Sequence, residues 1–329
     1  MAVYKEIHGT KVKSVTSDPP APANGEMWYN STERKVKGMK KTLTGSWATG
    51  GTLNTSPGRF QLGGAGTQTA ALAFGGGTQW PGVGVTANTE TYDGSSWTEV
   101  NNLNSSRRNL TGLGLQTAAL GFGGGPPASA LNESWNGSSW TEVADLNTNK
   151  DNNCGGTGTQ TAGIAFGGEG SPGAVTATTE TWNGSGWTEV GDMNTGRAGL
   201  GSAGTSTSAL GFGGATSPGG QTESWNGSAW TEVGDLNTTS REGPGGFGAS
   251  NSSALCASAG TVNTEEWNGS AWTEVANVST AVSHCGPTQS GTTSLGAIFG
   301  GFSPPGIIPR QTTEEWTGPT DTTVTFSTS

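Results

Sequence analysis

Few side chains of this 329-residue chain could build a metal or redox centre. Copper centres in proteins use histidine and tyrosine ligands, and the only histidines are His8 and His284. The three tyrosines are Tyr4, Tyr29 and Tyr92, and Tyr92 occupies a repeated position. Because a ligand set cannot be assembled, we interpret His284 as a polar rim or channel residue. We expect no metal and no other cofactor.

The cysteines are Cys154, Cys256 and Cys285. They show no metal-ligand spacing, and their number is odd. Each lies among glycine, alanine and serine residues, where a thiol behaves as a small hydrophobic group. We therefore predict that they are packing residues and that the chain has no disulfide framework.

Eight of the 25 Asp and Glu residues lie at two recurring positions, which are Glu90, Glu180 and Glu223, and Glu99, Glu142, Glu189, Glu232 and Glu274. Glycoside hydrolysis, for example, needs two carboxylates about 5–10 Å apart. A residue that recurs in successive repeats serves the repeat, and a catalytic pair would break that symmetry. The irregular Asp151 and Glu169 are interpreted as solvated loop residues. We predict that the chain is not an enzyme.

One sixteen-residue phrase recurs along the chain. It reads "ESWNGSSWTEVADLNT" at Glu133–Thr148, and close variants occupy Glu180–Thr195, Glu223–Thr238 and Glu265–Thr280. Alignment on the second tryptophan gives Trp47, Trp97, Trp140, Trp187, Trp230 and Trp272. The intervals of 50, 43, 47, 43 and 42 residues are typical of radially arranged or stacked units.

Each unit contains signals for four short strands. The apolar stretch "TQTAALAFGG" (Thr67–Gly76) has counterparts in the other units, and "TETWNGSGWTEV" (179–190) alternates around a turn. Asn-Gly between such segments predicts a hairpin with a type I′ turn, which needs positive φ at both central residues. Asn183-Gly184 would form its tip. Four strands in about 45 residues predict one blade of a β-propeller.

Residues 44–318 resemble the kelch repeat, because a glycine pair and then an aromatic residue precede the tryptophan in register. The fold class that we predict is all-β, a six-bladed kelch-like β-propeller. The strand at Gly45–Gly50 would complete the last blade and close the ring, which removes two sheet edges. The fifth unit reads "ALCASAG" (Ala254–Gly260) instead of Phe-Gly-Gly and is expected to pack less regularly. Glycines would crowd the inner strands, and tryptophans would fill the space between blades.

Charge and hydropathy exclude two classes of partner. Residues 1–41 carry eight Lys/Arg and four Asp/Glu, a balance of +4, and the rest carries seven and 21, a balance of −14. A surface of that sign does not suit nucleic acid. No window holds the roughly 18 apolar residues of a membrane span, so we expect no membrane insertion. The N-terminus lacks the apolar core of a cleaved export signal.

Short segments flank the propeller at residues 1–43 and 319–329. The first contains "SDPPAPANGEMWYNSTERKVKG", with an extended proline-rich piece and a hairpin formed by Glu26–Tyr29 and Lys35–Gly38. The second alternates and is expected to form one exposed strand. The first segment resembles the N-terminal module of marine bacteriophage tail and fibre proteins. That resemblance implies a virion protein that is attached to other virion proteins through residues 1–43, with Pro19, Pro20, Trp28 and Tyr29 as attachment residues.

The loops after the glycine pairs and the crossings between units share one face of the predicted propeller, and there the sequence stops repeating. Irregular loops on a rigid scaffold commonly carry binding residues. The candidates on this irregular-loop face are Trp80, Arg107, Arg108, Lys150, Arg197, Arg241, Phe302 and Arg310. Arginine beside aromatic residues suits glycans or acidic peptides. An equally weighted alternative is that each arginine caps a turn of the neighbouring blade.

The resemblance implies a non-enzymatic virion protein of a tail fibre, neck or capsid surface, which adheres to a host-surface glycan or protein or docks another protein. The virion, assembled in the host cytoplasm, would then be its location, and a homo-oligomer is compatible with that role. The alternative function is an intracellular kelch protein-interaction module without a viral connection. A redox enzyme is the third candidate.

Overall fold

A computed structural model describes residues 12–20, 22, 25–41, 45–80, 84–170, 173–215, 219–239, 242–303, 308–319 and 321–326. The chain divides into two compact units. The smaller unit joins Met1–Gly45 to Pro319–Ser329, and the larger unit is Ser46–Gly318. Within the described ranges, no helix is long and apolar enough to cross a membrane.

Regular structure in the described residues consists of short strands. The first half of the chain contains β1 (Lys13–Val15), β2 (Met27–Asn30), β3 (Lys35–Lys41), β4 (Ser46–Thr49), β5 (Gly63–Thr67), β6 (Ala70–Phe74), β7 (Thr89–Tyr92), β8 (Trp97–Val100), β9 (Thr111–Leu115), β10 (Ala118–Phe122), β11 (Asn132–Trp135), β12 (Trp140–Glu142), β13 (Gly155–Thr159), β14 (Ala162–Phe166), β15 (Thr179–Trp182) and β16 (Trp187–Glu189). The second half contains β17 (Gly201–Thr205), β18 (Ser208–Phe212), β19 (Thr222–Trp225), β20 (Trp230–Glu232), β21 (Gly245–Ser250), β22 (Ser253–Ala257), β23 (Thr264–Trp267), β24 (Trp272–Glu274), β25 (Gly286–Pro287), β26 (Leu295–Phe299), β27 (Phe302–Ser303), β28 (Ile308–Pro309), β29 (Thr313–Thr317) and β30 (Asp321–Phe326).

The larger unit is a propeller-like array of repeated four-stranded antiparallel sheets. Sheets 1 to 5 are formed by consecutive strands, β5–β8, β9–β12, β13–β16, β17–β20 and β21–β24. Sheet 6 has the order β25-β26-β29-β4. A seventh four-stranded sheet, of order β1-β2-β3-β30, belongs to the smaller unit. The described residues therefore contain seven four-stranded sheets, of which the six in the larger unit are antiparallel and carry the tryptophan repeat, whereas β1 and β2 of the seventh pair in parallel.

Sheet 6 combines strands from both ends of the larger unit. Strand β4 pairs antiparallel with β29, and Trp47 lies opposite Trp316. The sequence predicts this pairing, because the first repeat lacks three strands and the last repeat lacks one.

Aromatic side chains fill the space between consecutive sheets. The outer-strand tryptophan of each sheet packs on a phenylalanine of the preceding sheet, with ring centroids 4.7–5.1 Å apart for the pairs Trp140–Phe74, Trp187–Phe122, Trp230–Phe166, Trp272–Phe212 and Trp97–Phe299. In sheet 6 Trp47 lies 6.4 Å from Phe247 of sheet 5. The prediction that the repeated tryptophans belong to the core is confirmed.

The innermost strands approach one another closely. Strand β5 contacts both β9 and β25, and the other inner strands contact their neighbours in chain order. A Cβ atom at Gly64 would overlap the carbonyl oxygen of Pro287, and one at Gly112 would overlap that of Gly64. Glycine is therefore required where the inner strands meet, as the sequence predicts.

A cycle of six main-chain hydrogen bonds links the crossings that precede the inner strands. The bonds are Asn109 N–H to Gln61 O (2.8 Å), Asn153 to Asn109 (3.1 Å), Gly199 to Asn152 (2.8 Å), Gly243 to Gly199 (2.8 Å), His284 to Gly243 (2.7 Å) and Gln61 to His284 (2.8 Å). All seven of these residues have positive φ. The last bond returns to the first residue.

The hairpin turns differ from the predicted type I′ geometry. In the turn at Asn136–Ser139 only Gly137 has positive φ. The side chain of Asn136 accepts hydrogen bonds from the main-chain N–H groups of Ser138 and Ser139, both at 2.9 Å. The loop thus has four residues and is held by an asparagine-centred turn. Asn183-Gly184 follows the same pattern.

Sheet 5 departs from the repeat, as its sequence predicts. The pairing of β21 and β22 shifts register between Phe247 and Ser250. Ser258 and Ala259 take the positive φ that the glycine pairs of the other sheets adopt. Ala257 stands where the other sheets have phenylalanine, and Phe247 on the neighbouring strand supplies the aromatic ring instead.

Candidate functional site

Three arginines at equivalent positions of the irregular-loop face are buried in ion pairs. Arg107 Nη2 lies 3.0 Å from Glu133, and its Nη1 donates to the carbonyls of Gly123 and Leu131. Arg59–Glu90 (2.9 Å) and Arg197–Glu223 (3.1 Å) repeat this arrangement. Burial lowers the pKa of Arg59 to about 10, so its guanidinium stays charged at neutral pH, and burial also lowers the pKa of Arg107 and Arg197.

Lys150 occupies the same position in the third repeat. It is fully buried, and its ammonium donates to the carbonyl and hydroxyl of Thr178 at 2.9 and 2.8 Å. Burial lowers the pKa of this amine. The prediction that Arg107, Lys150 and Arg197 form a binding rim is therefore wrong: these side chains point into the protein and hold the loop after each glycine pair. The capping alternative describes them correctly. Arg241, at the equivalent sequence position, lies outside the described residues.

The repeated glutamates on the third strand of each sheet serve the framework. Glu133 accepts hydrogen bonds from the main chain and side chain of Asn104, at 2.8 and 2.9 Å. Glu180 does the same for Asn147. Each carboxylate thus fixes the "LNT"-type turn of the preceding repeat, in agreement with the structural role that the sequence predicts.

Two predicted residues remain accessible and unpaired with carboxylates. The ion pairs of the larger unit, within its described part, involve Arg59, Arg107, Arg197 and His284. Half-buried Arg108 and Arg310 are not among them. Arg108 Nη1 donates to Gln61 Oε1 at 2.7 Å, and Arg310 Nε donates to Ser303 Oγ at 2.8 Å.

An aromatic cluster lies beside both arginines. Trp80, which is 49% exposed, has its ring centroid 6.1 Å from Phe60 and 6.3 Å from Phe302. Phe60 and Phe302 are 5.8 Å apart. Gln61 and Ser303, which the two arginines contact, directly follow Phe60 and Phe302 in the sequence. We call Phe60, Trp80, Phe302, Arg108 and Arg310 the aromatic corner.

His284 lies beneath the aromatic corner. Its ring stacks on Phe302 with centroids 5.3 Å apart and planes inclined by 18°. Burial lowers its pKa to about 4, so the imidazole is neutral at physiological pH. Nε2 is 3.7 Å from Glu242, and buried Nδ1 has no hydrogen-bond partner in the structure. Burial, with the charge of Glu169, raises the pKa of Glu242.

One position of the repeat differs in every sheet, and the recurring tryptophan phrase does not reveal it. It directly precedes the hydrogen-bonded cycle and holds Phe60, Arg108, Asp151, Ala198, Glu242 and Ser283. The preceding position is nearly constant, with Arg59, Arg107, Lys150 and Arg197 as its first four members. An alignment of the six crossings on this basic residue could have revealed the contrast. The side chains at this position are thus unlike, whereas the hydrogen-bonded cycle that follows them in the sequence repeats.

A narrow cavity of about 30 Å³ lies between the inner strands, and Thr111, Asn153, Ser202 and Gln289 are among its lining residues. Buried Gln289 Oε1 has no hydrogen-bond partner in the structure. The volume suits one or two water molecules. Across the described residues, no group of three or more His, Cys, Asp or Glu side chains could hold a metal ion. Cys154, Cys256 and Cys285 are buried.

The motif residues of the smaller unit converge on Asp18. Its carboxylate accepts hydrogen bonds from Trp28 Nε1 (2.9 Å), Asn30 Nδ2 (2.8 Å) and Lys37 Nζ (2.7 Å). These bonds, with that of Lys37 the strongest, lower the pKa of Asp18 to about 2. Lys37 also contacts Glu33 at 2.6 Å. The "SDPP" and "WYN" segments are therefore held together by one acid.

The predicted attachment residues divide into two groups. Trp28 is fully buried within its sheet, so its assignment as an attachment residue is wrong. Pro19 and Tyr29 are half-buried, and Pro20 is exposed. Strand β30 pairs with β3, so the C-terminal strand completes the sheet of the N-terminal hairpin.

No protein-family model matches the chain, and no curated protein sequence matches it either.

Proposed function

We propose that this chain is a non-enzymatic virion structural protein, held in the particle by its smaller unit and displaying the larger unit for adhesion or docking. The larger unit would be a closed, six-bladed kelch-like propeller. Three cyclic patterns support closure: the contacts of the inner strands, the tryptophan–phenylalanine pairs and the main-chain hydrogen bonds that return to Gln61.

The observation that carries a binding role is the distribution of positive charge. The larger unit has seven Lys and Arg residues. Of the six that are described, Arg59, Arg107, Lys150 and Arg197 are buried. The other two, Arg108 and Arg310, flank exposed Trp80. A rigid scaffold that keeps its repeated cations inside and leaves two unrepeated ones beside an exposed aromatic is well suited to present a binding site.

The attachment role rests on the sequence of residues 1–43. We place the chain in a virion because residues 1–43 resemble the N-terminal module of phage tail and fibre proteins. The convergence of Trp28, Asn30 and Lys37 on Asp18 gives the motif a structural reason, because these residues build one sheet. Exposed Pro20 and half-buried Pro19 and Tyr29 remain candidates for contact with other virion proteins.

Immunogold labelling of purified particles tests the assignment. An antibody against the larger unit is expected to decorate particles, and a chain lacking residues 1–45 is expected to be left out of them. An unlabelled particle, with the chain found in the cytoplasm of infected cells, would favour the intracellular interaction module instead. Adsorption of the purified chain to host cells tests the adhesion role separately.

A further inference from the structure

We propose that the aromatic corner binds an acidic saccharide, meaning a sugar ring that carries a carboxylate or a sulfate group. This inference deepens the proposed function, on which it rests, by naming the class of ligand.

Charge is the first argument. The larger unit is strongly acidic, and its described accessible cations are Arg108 and Arg310 alone. Neither has a carboxylate partner in the described part of the unit, whereas Arg59, Arg107 and Arg197 each have one. Guanidinium groups recognise carboxylates and sulfates through paired N–H donors. An acidic group on a ligand would supply the partner that the protein itself does not provide.

The exposed ring of Trp80 is the second argument. Phe60 and Phe302 support it from the protein side, with centroids 6.1 and 6.3 Å away. Trp80 therefore offers a supported flat surface with about half of its area open to solvent. Indole rings combine a large apolar surface with few rotatable bonds, so they stack on a flat ligand at low entropic cost.

The main-chain hydrogen bonds already formed beside the aromatic corner favour a saccharide ligand over a peptide. Phe60 and Gly77 exchange two main-chain hydrogen bonds of 3.1 and 2.9 Å, and Ser283 and Phe302 exchange two of 3.0 Å. A peptide that binds as an added strand needs free main-chain donors and acceptors. At these positions they are already used, so recognition depends on side chains, which suits a sugar ring with an acidic substituent.

The unlike residues that directly precede the hydrogen-bonded cycle also favour a site at the aromatic corner. Phe60 and Arg108 occupy that position in neighbouring repeats, although the residues before them, Arg59 and Arg107, are identical. Packing alone would allow the same residue in each sheet, because the framework around the position repeats. The variation places the aromatic and the positive member side by side at the corner.

Binding of defined probes to the purified full-length chain tests the proposal. The probes are an oligoglucuronate, a sulfated galactan oligosaccharide, a neutral glucan of equal length and a deca-glutamate peptide, each titrated by calorimetry. At least one acidic saccharide is expected to bind about tenfold or more tightly than the glucan. The two acidic probes distinguish a carboxylate ligand from a sulfate ligand. Equal affinity for the glucan, no saccharide binding at all, or equally tight binding of the peptide would overturn the proposal.

Variants locate the site. Trp80→Ala and the double change Arg108→Gln/Arg310→Gln are each expected to weaken acidic-saccharide binding by about tenfold or more. Leu295→Ala, at a residue 48% exposed and at the other end of its strand from the glycine pair, and Arg34→Gln in the smaller unit are matched controls expected to bind normally. Unchanged binding in the corner variants, with thermal unfolding like that of the parent, would contradict the site.

Adsorption to host cells distinguishes a failure of the saccharide site from a failure of the adhesion role. If Trp80→Ala abolishes saccharide binding but the chain never adsorbs to cells, the corner assignment stands and the adhesion role fails. If the chain adsorbs to cells and Trp80→Ala adsorbs equally well, adhesion stands, and the corner is not the site that mediates it.

Discussion

At the scale of single residues, neighbouring side chains of one type have different roles. Arg107 and Arg108 are adjacent in the sequence, yet the first is buried in an ion pair with Glu133, whereas the second is half-buried and donates to Gln61. The sequence predicts the same role for both, because both are arginines in the same segment between two repeats. Their partners lie 26 and 47 residues away, and no local pattern encodes that separation.

This difference predicts opposite outcomes for two alanine substitutions. Arg107→Ala leaves Glu133 buried without its counter-charge and should lower the free energy of unfolding by about 3–5 kcal/mol. Arg108→Ala removes one half-buried hydrogen bond and should cost less than about 1 kcal/mol. Urea denaturation of both variants measures the two values. Similar losses of unfolding free energy in the two variants would contradict a buried, paired Arg107 beside a half-buried Arg108.

A second residue-scale prediction concerns the third sheet. The outer tryptophans of the other sheets donate to a threonine hydroxyl of the preceding sheet, as Trp140 does to Thr89 at 3.0 Å. In sheet 2 Asn132 occupies the position of that threonine, and both Trp187 Nε1 of sheet 3 and Asn132 Oδ1 are buried without hydrogen-bond partners in the described structure. Asn132→Thr should therefore stabilise the protein by about 1 kcal/mol.

The reverse change provides the control. Thr89→Asn should lower the free energy of unfolding by a similar amount, because it creates the same mismatch for Trp140. Thermal unfolding is expected to shift upward by about 2–4 °C for Asn132→Thr and downward for Thr89→Asn. A downward shift for both would mean that Asn132 contributes more through its bond to Ala144 (3.1 Å) than it costs.

At the scale of elements, sheet 5 shows how one strand compensates for another. Ala257 stands where β22 lacks the phenylalanine of the other sheets, and the ring of Phe247 on β21 packs against Gly296 of sheet 6 in its place. Phe247→Ala should cost about 3–5 kcal/mol. Adding Ala257→Phe to that variant should recover a large part of the loss, since it restores the arrangement of the other sheets. Chemical denaturation of the single and double variants measures their free energies of unfolding. A double variant that is less stable than Phe247→Ala alone would contradict this compensation.

The sheet of the smaller unit carries a pH prediction. The folded-state pKa of Asp18, about 2, lies below its ordinary value of 3.8. A depressed acid stabilises the fold above the ordinary value, and that contribution is lost as pH falls from about 4 to 2. The indole Nε1–H signal of Trp28, followed by NMR, is expected to weaken over this range. Asp18→Asn should remove this pH dependence.

Asp93→Asn is the matched control for that experiment. The pKa of Asp93 is also lowered to about 2, by hydrogen bonds from Ser96 and Ser95, but Asp93 belongs to a turn of the larger unit. Its replacement should leave the acid response of Trp28 unchanged. If the acid response of Trp28 disappears in Asp93→Asn and persists in Asp18→Asn, the transition belongs to the larger unit, and its assignment to Asp18 is contradicted.

At the scale of the whole molecule, the period of the tryptophans was sufficient to predict the repeated sheets and the pairing of β4 with β29. The tryptophan spacing predicts the sheets because each repeat must bury its aromatic residues against the next repeat. The turn type, the buried cations and the role of Trp28 were not predictable in the same way. Each depends on partners distant in sequence, such as Glu133 for Arg107 and Asp18 for Trp28.

We propose that the larger unit closes into a ring through β4. Deletion of residues 1–45 removes β1, β2 and β3 and leaves β4 paired with β29, whereas deletion of residues 1–50 also removes β4 and exposes an edge of sheet 6. Thermal unfolding of the larger unit, followed by tryptophan fluorescence in the two truncated chains, compares them directly. The account predicts a near-parental midpoint for the first deletion and a midpoint several degrees lower, with aggregation, for the second. Equal midpoints for both deletions would contradict closure, because an open array would lose only a terminal strand.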